Sequence, residues 1–528
     1  MLGLVTADEA AGWSEWLAAL AAAGRATRLA GGPWTAAERL PQLRCLYPGA
    51  NEVPAVVVPA EYATPPASRD DALRDLLRSR LGGLGPVPAG TLAGQLGLPR
   101  HEIEAALLAL QAEGSVLQGR FTPDAVDTEW CERHLLARIH RYTLKRLRHE
   151  IEPVEPRDFM RFLFDWQRVA PGNRVEGREA LPAVLAQLEG YEAPAAMWEA
   201  EILPARVTDY ATSWLDEQCT AGRTVWTRLR PAPGGGGVTS LRSAPVVLLP
   251  RRHAARWSRL APAQDDATDL GARAQRAAAY LAEHGASFFE EMRDGTRLLK
   301  TELEEALAEL VVRGRAHCDS FAGLRALMVP ASKRDGGSGR FRGRRSLFGI
   351  EDAGRWSLVR PRDDGTASAA DDLEQAVHTV LRRYGVISWR LLEREATWLP
   401  PWRDLVRVCR RLEARGELRG GRFIAGMSGE KFALPEAVAL MREVRRRPVD
   451  GSWVCLAATD PANLLGTVLP GPRLPRVAGS RVLYRDGVPV ATSSGGQVTM
   501  LVTLPAEEAQ VARRALVLDP GARSPVGA

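Results

Sequence analysis

The chain has 528 residues, 45% hydrophobic and 25% charged, with a formal net charge of +6. That length exceeds one core and predicts three to five compact units. No apolar run reaches the ~18 residues a membrane-spanning helix needs, the start MLGLVTADEAAGW lacks the layout of a secretory signal, and the scattered cysteines (45, 131, 219, 318, 409, 455) contain no CxxC pair. Neither a zinc site nor a disulfide framework is expected, and a reducing cytoplasm is the expected setting.

In chain order, one pattern recurs around a glycine. It stands in EWLAALAAAGRATRL (Gly24), LALQAEGSVLQGRF (Gly114), SWLDEQCTAGRTVWTRL (Gly222), EALAELVVRGRAHC (Gly314) and RRLEARGELRGGRF (Gly416). Apolar residues precede the glycine by seven and four positions: Leu17 and Leu20, Leu107 and Leu110, Leu307 and Leu310, Cys409 and Leu412. The third copy keeps Leu215 but has Gln218. Such spacing makes one stripe on a helix, and a glycine ends a helix readily because it enters the left-handed region at little cost. The alternating residues that follow suit a short strand and a hairpin.

Further short helices are expected upstream of each later copy, as in DDALRDLLRSRL (70–81) and AGTLAGQLGL (89–98) before GLPRHEIEAALLAL. Three helices and a β-hairpin are the winged-helix arrangement. The glycines lie 90, 108, 92 and 102 residues apart, too far for a solenoid and suited to separate small domains. Little precedes Trp13, so the first copy lacks an opening helix and the chain is expected to begin inside a domain.

Residues 126–150 read as one basic helix carrying Arg133, Arg138, Arg141, Lys145, Arg146 and Arg148, either a solvated connector or a phosphate-contacting stripe. PAPGGGGV (231–238) reads as a flexible linker, and ASKRDGGSGRFRGRRS (331–346) as a flexible basic loop. After a helix over 431–447, the runs WVCLAATD, SRVLYRDG, VPVATSSG and QVTMLVTL predict a small antiparallel barrel or sheet, closed by a last helix in AEEAQVARRALVL. The fold expected is α+β and mostly helical: a partial winged helix over 1–60, others over 61–150, 151–250, 251–335 and 336–447, then a β-barrel and helix over 448–528.

No phosphate-binding GxxxxGK[ST], HExxH, GxSxG or EF-hand spacing occurs. In PWRDLVRVCRRLEARG, Leu405, Val408, Cys409 and Leu412 share one face, while Arg403, Arg407, Arg410 and Arg411 occupy the other. That is the face a recognition helix offers DNA, though many surface helices share it. The matching helix of the second copy shows Arg100, His101, Glu104 and Gln111 and reads as a packing unit. Trp16 and Trp214, at one repeat position, are expected in cores, and His317 and Cys318 read as structural.

GPWTAAERLPQLRCLYP, EWCERHLLARIHRYTLKRLRHEIEPVEPRDFMRFLFDWQRV, LPARVTDY, GRWSLV and AATDPANLLGTVLP together resemble the C-terminal region of Lhr-type (large helicase-related) DNA helicases. One departure is visible: that family tends to follow Asp-Pro-Ala-Asn with Pro-Tyr, where this chain has Leu464 and Leu465. The resemblance implies a role in DNA repair behind an ATP-dependent 3′-to-5′ helicase core, with ATP and Mg serving that core and no cofactor in this chain. It also implies homo-oligomerisation as a tetramer, and DNA or an RNA:DNA hybrid as partner. The later modules are also similar to AlkZ-type DNA glycosylases, which use Gln-x-Gln or Gln-x-Asp. Gln264-Asp265-Asp266 matches within a polar linker, and Trp166-Gln167-Arg168-Val169 is the structural counterpart, making Gln167 a weak catalytic candidate. Three readings stay open: a DNA-binding, oligomerising appendage of a helicase, a glycosylase of damaged or crosslinked bases, and a scaffold without nucleic-acid contact.

Overall fold

The computed structural model describes residues 3–29, 32–123, 125–149, 151–229, 240–261, 270–329, 349–359 and 368–517. The linker 231–238, Gln264-Asp265-Asp266 and the basic loop 331–346 lie outside them. The chain divides into two compact units, Met1–Leu147 and Arg148–Ala528.

All five repeat glycines have positive φ: 69° at Gly24, 73° at Gly114, 70° at Gly222, 70° at Gly314 and 81° at Gly416. Each ends its helix with the same pair of hydrogen bonds. Gly114 N donates to Gln111 O (2.8 Å) and Ser115 N to Leu110 O (3.0 Å), and the residues at the other four glycines repeat this. This double closure satisfies carbonyls that the helix end would otherwise leave unpaired.

Four copies share one sheet order, in which the first short strand pairs with the third and the third with the second. In the second copy these are Val87–Pro88, Glu129–Glu132 and Val116–Gly119. The fifth uses Val386–Ile387, Phe432–Ala433 and Arg419–Gly420. The first copy departs: Ala26–Leu29 lies between Trp34–Ala36 and Glu52–Val53.

Three expectations are corrected. Residues 126–150 are not one helix. Glu129–Glu132 is a strand, because Trp130 and Cys131 are buried in the sheet, and the helix is Arg133–His149. Trp16 is 71% exposed, since its helix Ser14–Ala22 buries only Ala21, whereas Trp214 is half-buried beside Tyr210. The terminal strands Trp453–Ala457, Arg481–Arg485, Val488–Ser494 and Gln497–Met500 form an open four-stranded antiparallel meander, not a closed barrel. The segment that could have added strands, 458–480, is turns and irregular backbone. Helix Ala506–Val517 lays Ala512 and Leu516 against Leu483 and Ala491 of the sheet.

The first unit is built on Leu73, Leu76, Leu77, Leu107 and Leu110. In the second, helix Pro156–Trp166 is a central strut. Phe159, Met160, Phe162, Leu163 and Phe164 are all buried in one cluster with residues of the fifth copy and of the terminal sheet. Phe164 meets Tyr484 edge-on at 5.1 Å, an arrangement the ring quadrupole favours. No helix among the described residues is long and apolar enough to cross a membrane.

Candidate nucleic-acid interface and a buried polar network

Helix Arg133–His149 starts cleanly because the Glu132 carboxylate accepts from His134 N (2.8 Å) and Leu135 N (2.6 Å), satisfying two orphan donors. Arg138, Arg141, Tyr142 and Lys145 follow at helical spacing on one face, and all are exposed. Arg138, Arg141 and Lys145 have no ion pair among the described residues. Arg146 is exposed as well. Arg148 is placed differently: its guanidinium pairs with the buried Glu413 (Nε–Oε1 2.7 Å) and lies over the Phe432 ring at 5.9 Å. Glu413 also accepts from Gly420 N at 3.0 Å, so Arg148 is tied to the hairpin of the fifth copy.

On helix Trp402–Ala414, the expected apolar face is buried: Leu405, Val408, Cys409 and Leu412 are all 3% exposed or less. Burial pushes the Cys409 thiol up to about 12. The arginine face is divided. Arg403 and Arg407 are 82% and 79% exposed, each 3.8 Å from Asp404. Arg410 pairs with Glu430 at 2.6 Å and Arg411 with Glu374 at 2.9 Å, a carboxylate shared with Arg415 at 2.6 Å. Acidic residues from other elements thus answer half of that face.

Gln167 is fully buried. Its Nε2 donates to Arg383 O (2.9 Å) and its Oε1 accepts from Arg206 Nη2 (2.7 Å). Arg206 forms a bidentate pair with Asp460, Nη1 to Oδ2 at 2.7 Å and Nη2 to Oδ1 at 2.9 Å, and donates to Ile202 O at 2.9 Å. Asp460 Oδ1 also accepts from Ala462 N at 2.8 Å. Three sequence stretches that carry the resemblance, WQRV, LPARVTDY and AATDPANLL, therefore meet in one buried polar network. Arg394 adds bonds to Ala458 O (3.0 Å) and Asp460 O (2.9 Å), and Tyr191 OH donates to Thr459 O (2.8 Å). Sequence reasoning passed over Arg206. Its one signal was a lone arginine inside the apolar run ILPARV.

Beside Gln167 the chain opens onto a groove of about 740 Å³ lined by Asp165, Trp166, Arg168, Gln187, His378 and Glu436, among others. Arg168 takes the left-handed conformation at φ 60°, uncommon for a residue with a side chain. Asp165 Oδ2 accepts from Arg447 Nη1 at 2.8 Å, and Gln187 Nε2 donates to Trp166 O at 2.7 Å. Gln187 is 8% exposed, and its Oε1 has no hydrogen-bond partner among the described residues. No group of three His, Cys, Asp or Glu residues among the described ones could hold a metal.

Winged-helix modules, with a buried arginine–carboxylate network inside the unit Arg148–Ala528, define the fold class of this chain. Residues 154–251 and 366–453 match two family models, each described as large helicase-related protein, winged-helix domain. Along most of its length the chain is similar to the Lhr helicase/probable uracil glycosylase of Mycolicibacterium smegmatis, 30% identical over 502 residues, covering 89% of this chain and 32% of the relative. It is likewise similar to the Lhr helicase/uracil glycosylase of Escherichia coli, 29% identical over 482 residues, covering 83% of this chain and 30% of the relative. The chain thus spans about a third of the length of the curated relatives it matches. Among solved structures, Streptomyces sahachiroi DNA glycosylase AlkZ aligns at 14% identity and a TM-score of 0.41, covering 70% of this chain and 97% of AlkZ. Residues 154–251 and 366–453 thus carry Lhr-type winged-helix domains, and the resemblance seen in the sequence extends to both relatives along most of this chain.

Proposed function

We propose that this chain is the DNA-engaging C-terminal part of an Lhr-type repair helicase and contributes no ATPase site of its own. The observation that carries the reading is the exposed face of Arg138, Arg141 and Lys145, unpaired among the described residues, with Tyr142 beside it for stacking. Cations without carboxylate partners are free to replace counterions on a phosphate backbone, and an adjacent aromatic ring suits an unpaired base. Arg403 and Arg407 form a second, weaker contact, because Asp404 lies near both. DNA, or an RNA:DNA hybrid, is the partner; ATP and Mg serve a separate helicase core; and the setting is cytoplasmic. Self-assembly into a tetramer belongs to the same reading and is tested by light scattering with and without a DNA fork, where a 57.5 kDa monomer in both conditions removes it.

Fluorescence anisotropy against salt, on a labelled fork, tests the DNA contact. Arg138→Ala/Arg141→Ala/Lys145→Ala is expected to lower the log–log salt slope by about 2 to 3, near 0.9 per phosphate contact. An unchanged slope and affinity would remove this face from the interface.

A second reading, base excision, is favoured by the glycosylase similarity of both relatives and by the groove beside Trp166 and Arg168. Gln167 has its amide turned inward, so in this reading the groove's carboxylates, Asp165 and Glu436, are the groups to position water near the sugar. Release of free base from a uracil-containing oligonucleotide, lost in Asp165→Asn or Glu436→Gln, tests it. Absence of release by the parent chain rejects it.

A further inference from the structure

A second cavity, of about 440 Å³, lies within the unit Arg148–Ala528 where the third and fourth copies meet. One wall is strand Thr224–Thr227 and the turn and helix that follow strand Pro245–Pro250. The other is the end of helix Ala272–His284 with strands Ala316–Cys318 and Arg355–Leu358. Val225, Leu281 and Leu358 are among its apolar lining residues, and Thr227, His317 and Ser357 among its polar ones.

The polar groups are unusual in what they leave unsatisfied. Thr227 is 6% exposed, and its Oγ1 has no hydrogen-bond partner among the described residues. His317 Nδ1 is likewise buried without one among the described residues, while its Nε2 lies 3.3 Å from Ser357 Oγ. Buried polar atoms are nearly always paired, and each unpaired one calls for a reason. Burial, reinforced by Arg251, holds His317 down to about 4, so the ring is neutral near pH 7 and offers one donor and one acceptor.

Two adjacent exposed arginines line the same cavity. Arg251 Nε donates to Gly222 O at 3.1 Å, which steadies its guanidinium. Neither Arg251 nor Arg252 has a carboxylate partner among the described residues, in contrast to Arg410, Arg411 and Arg447. Paired guanidinium groups suit a phosphate. Apolar walls with hydroxyl and imidazole groups suit a heteroaromatic ring that both donates and accepts. The volume falls within the range of small-ligand sites.

We infer that this cavity binds one nucleotide, its phosphate on Arg251 and Arg252 and its base against Val225 and Leu358 within reach of Thr227 and His317. The nucleotide has two possible sources, a free mononucleotide or an unpaired residue of a strand. The site lies wholly within the unit Arg148–Ala528 and shares no residue with the Arg138, Arg141 and Lys145 face, so failure of the DNA reading leaves it intact.

The test is calorimetry of the 528-residue chain with the four standard deoxynucleoside 5′-monophosphates, the matching nucleosides and inorganic phosphate. At least one monophosphate is expected to bind tenfold or more tighter than its nucleoside and than phosphate. Arg252→Ala, at an exposed position, is expected to weaken it at least tenfold with unchanged melting temperature, and Thr227→Val at least threefold. Displacement of the bound nucleotide by an oligonucleotide with a one-residue bulge, and not by the paired duplex, assigns the occupant to a strand. Failure to displace assigns it to the free pool. No monophosphate binding at millimolar concentration, or binding indifferent to Arg252→Ala, overturns the inference.

Discussion

Arg206 and Asp460 stand 254 residues apart in sequence, yet join through hydrogen bonds of 2.7 and 2.9 Å with side chains 0% and 1% exposed. A buried ion pair is defended by its neighbours. Asp460 also holds Ala462 N, and Arg206 also holds Gln167 and Ile202. Removing one partner strands a desolvated charge, so Arg206→Ala or Asp460→Ala is expected to destabilise the chain by ~3–5 kcal/mol. The paired replacement Arg206→Met/Asp460→Leu is expected to recover much of that loss in urea unfolding. Equal losses in the single and double variants would contradict the account.

Gln167 serves the same network. Gln167→Leu deletes both of its hydrogen bonds and leaves an Arg206 donor and the Arg383 carbonyl unpaired. A loss of ~2–4 kcal/mol in stability is expected, with DNA affinity of the folded fraction unchanged. Weaker DNA binding at an unchanged unfolding midpoint would instead place Gln167 in the interface.

The imidazole of His317 gives a signed pH dependence. Burial and Arg251 depress it to about 4, against an ordinary 6.5, while Asp319 pulls the other way. The folded state therefore holds the ring neutral, and the unfolded state takes up the proton first. The stabilisation is complete above pH 6.5 and drains away as pH falls toward 4, amounting to no more than about 3 kcal/mol. His317→Asn should flatten the stability profile between those two values and leave it unaltered above pH 7.

The divided arginine face of helix Trp402–Ala414 predicts two behaviours from one helix. Arg403→Ala/Arg407→Ala is expected to reduce the salt slope of DNA binding by about 1 to 2. Arg410→Ala/Arg411→Ala should leave the slope within error and lower stability by under ~1 kcal/mol for each exposed pair. The opposite ranking would mean that DNA displaces Glu430 and Glu374.

At Gly114 a Cβ would meet nothing within 4 Å, so Gly114→Ala isolates backbone strain from crowding. With φ at 73°, a loss of ~1–2 kcal/mol is expected, and less for Gly114→Asn. Trp16→Ala, at an exposed site, should fall within ~0.5 kcal/mol of the parent, whereas Trp356→Ala, at a fully buried one, should lose ~3–5 kcal/mol.

The repeats, their glycine closures and their buried stripes were legible because the interactions behind them are local. A carbonyl at Leu110 and an amide at Ser115 lie within one helix turn and its cap, and periodicity reports them directly. Where the sequence misled, a distant partner decided. Trp16 and Trp214 occupy one repeat position, but only the third copy supplies a neighbour such as Tyr210. Arg410 and Arg411 share one face with Arg403 and Arg407 in the sequence, and only the fold brings Glu430 and Glu374 from other elements to pair with them. By itself, the chain's text determined module type, helix ends and the family relation, all products of short-range chemistry. Only the tertiary structure decided which arginines face solvent, that Gln167 points inward onto Arg206, and that Thr227 and His317 share a cavity. Those outcomes depend on charges and hydrogen-bonding groups brought together from 20 to 254 residues apart, where burial rather than spacing sets each group's state.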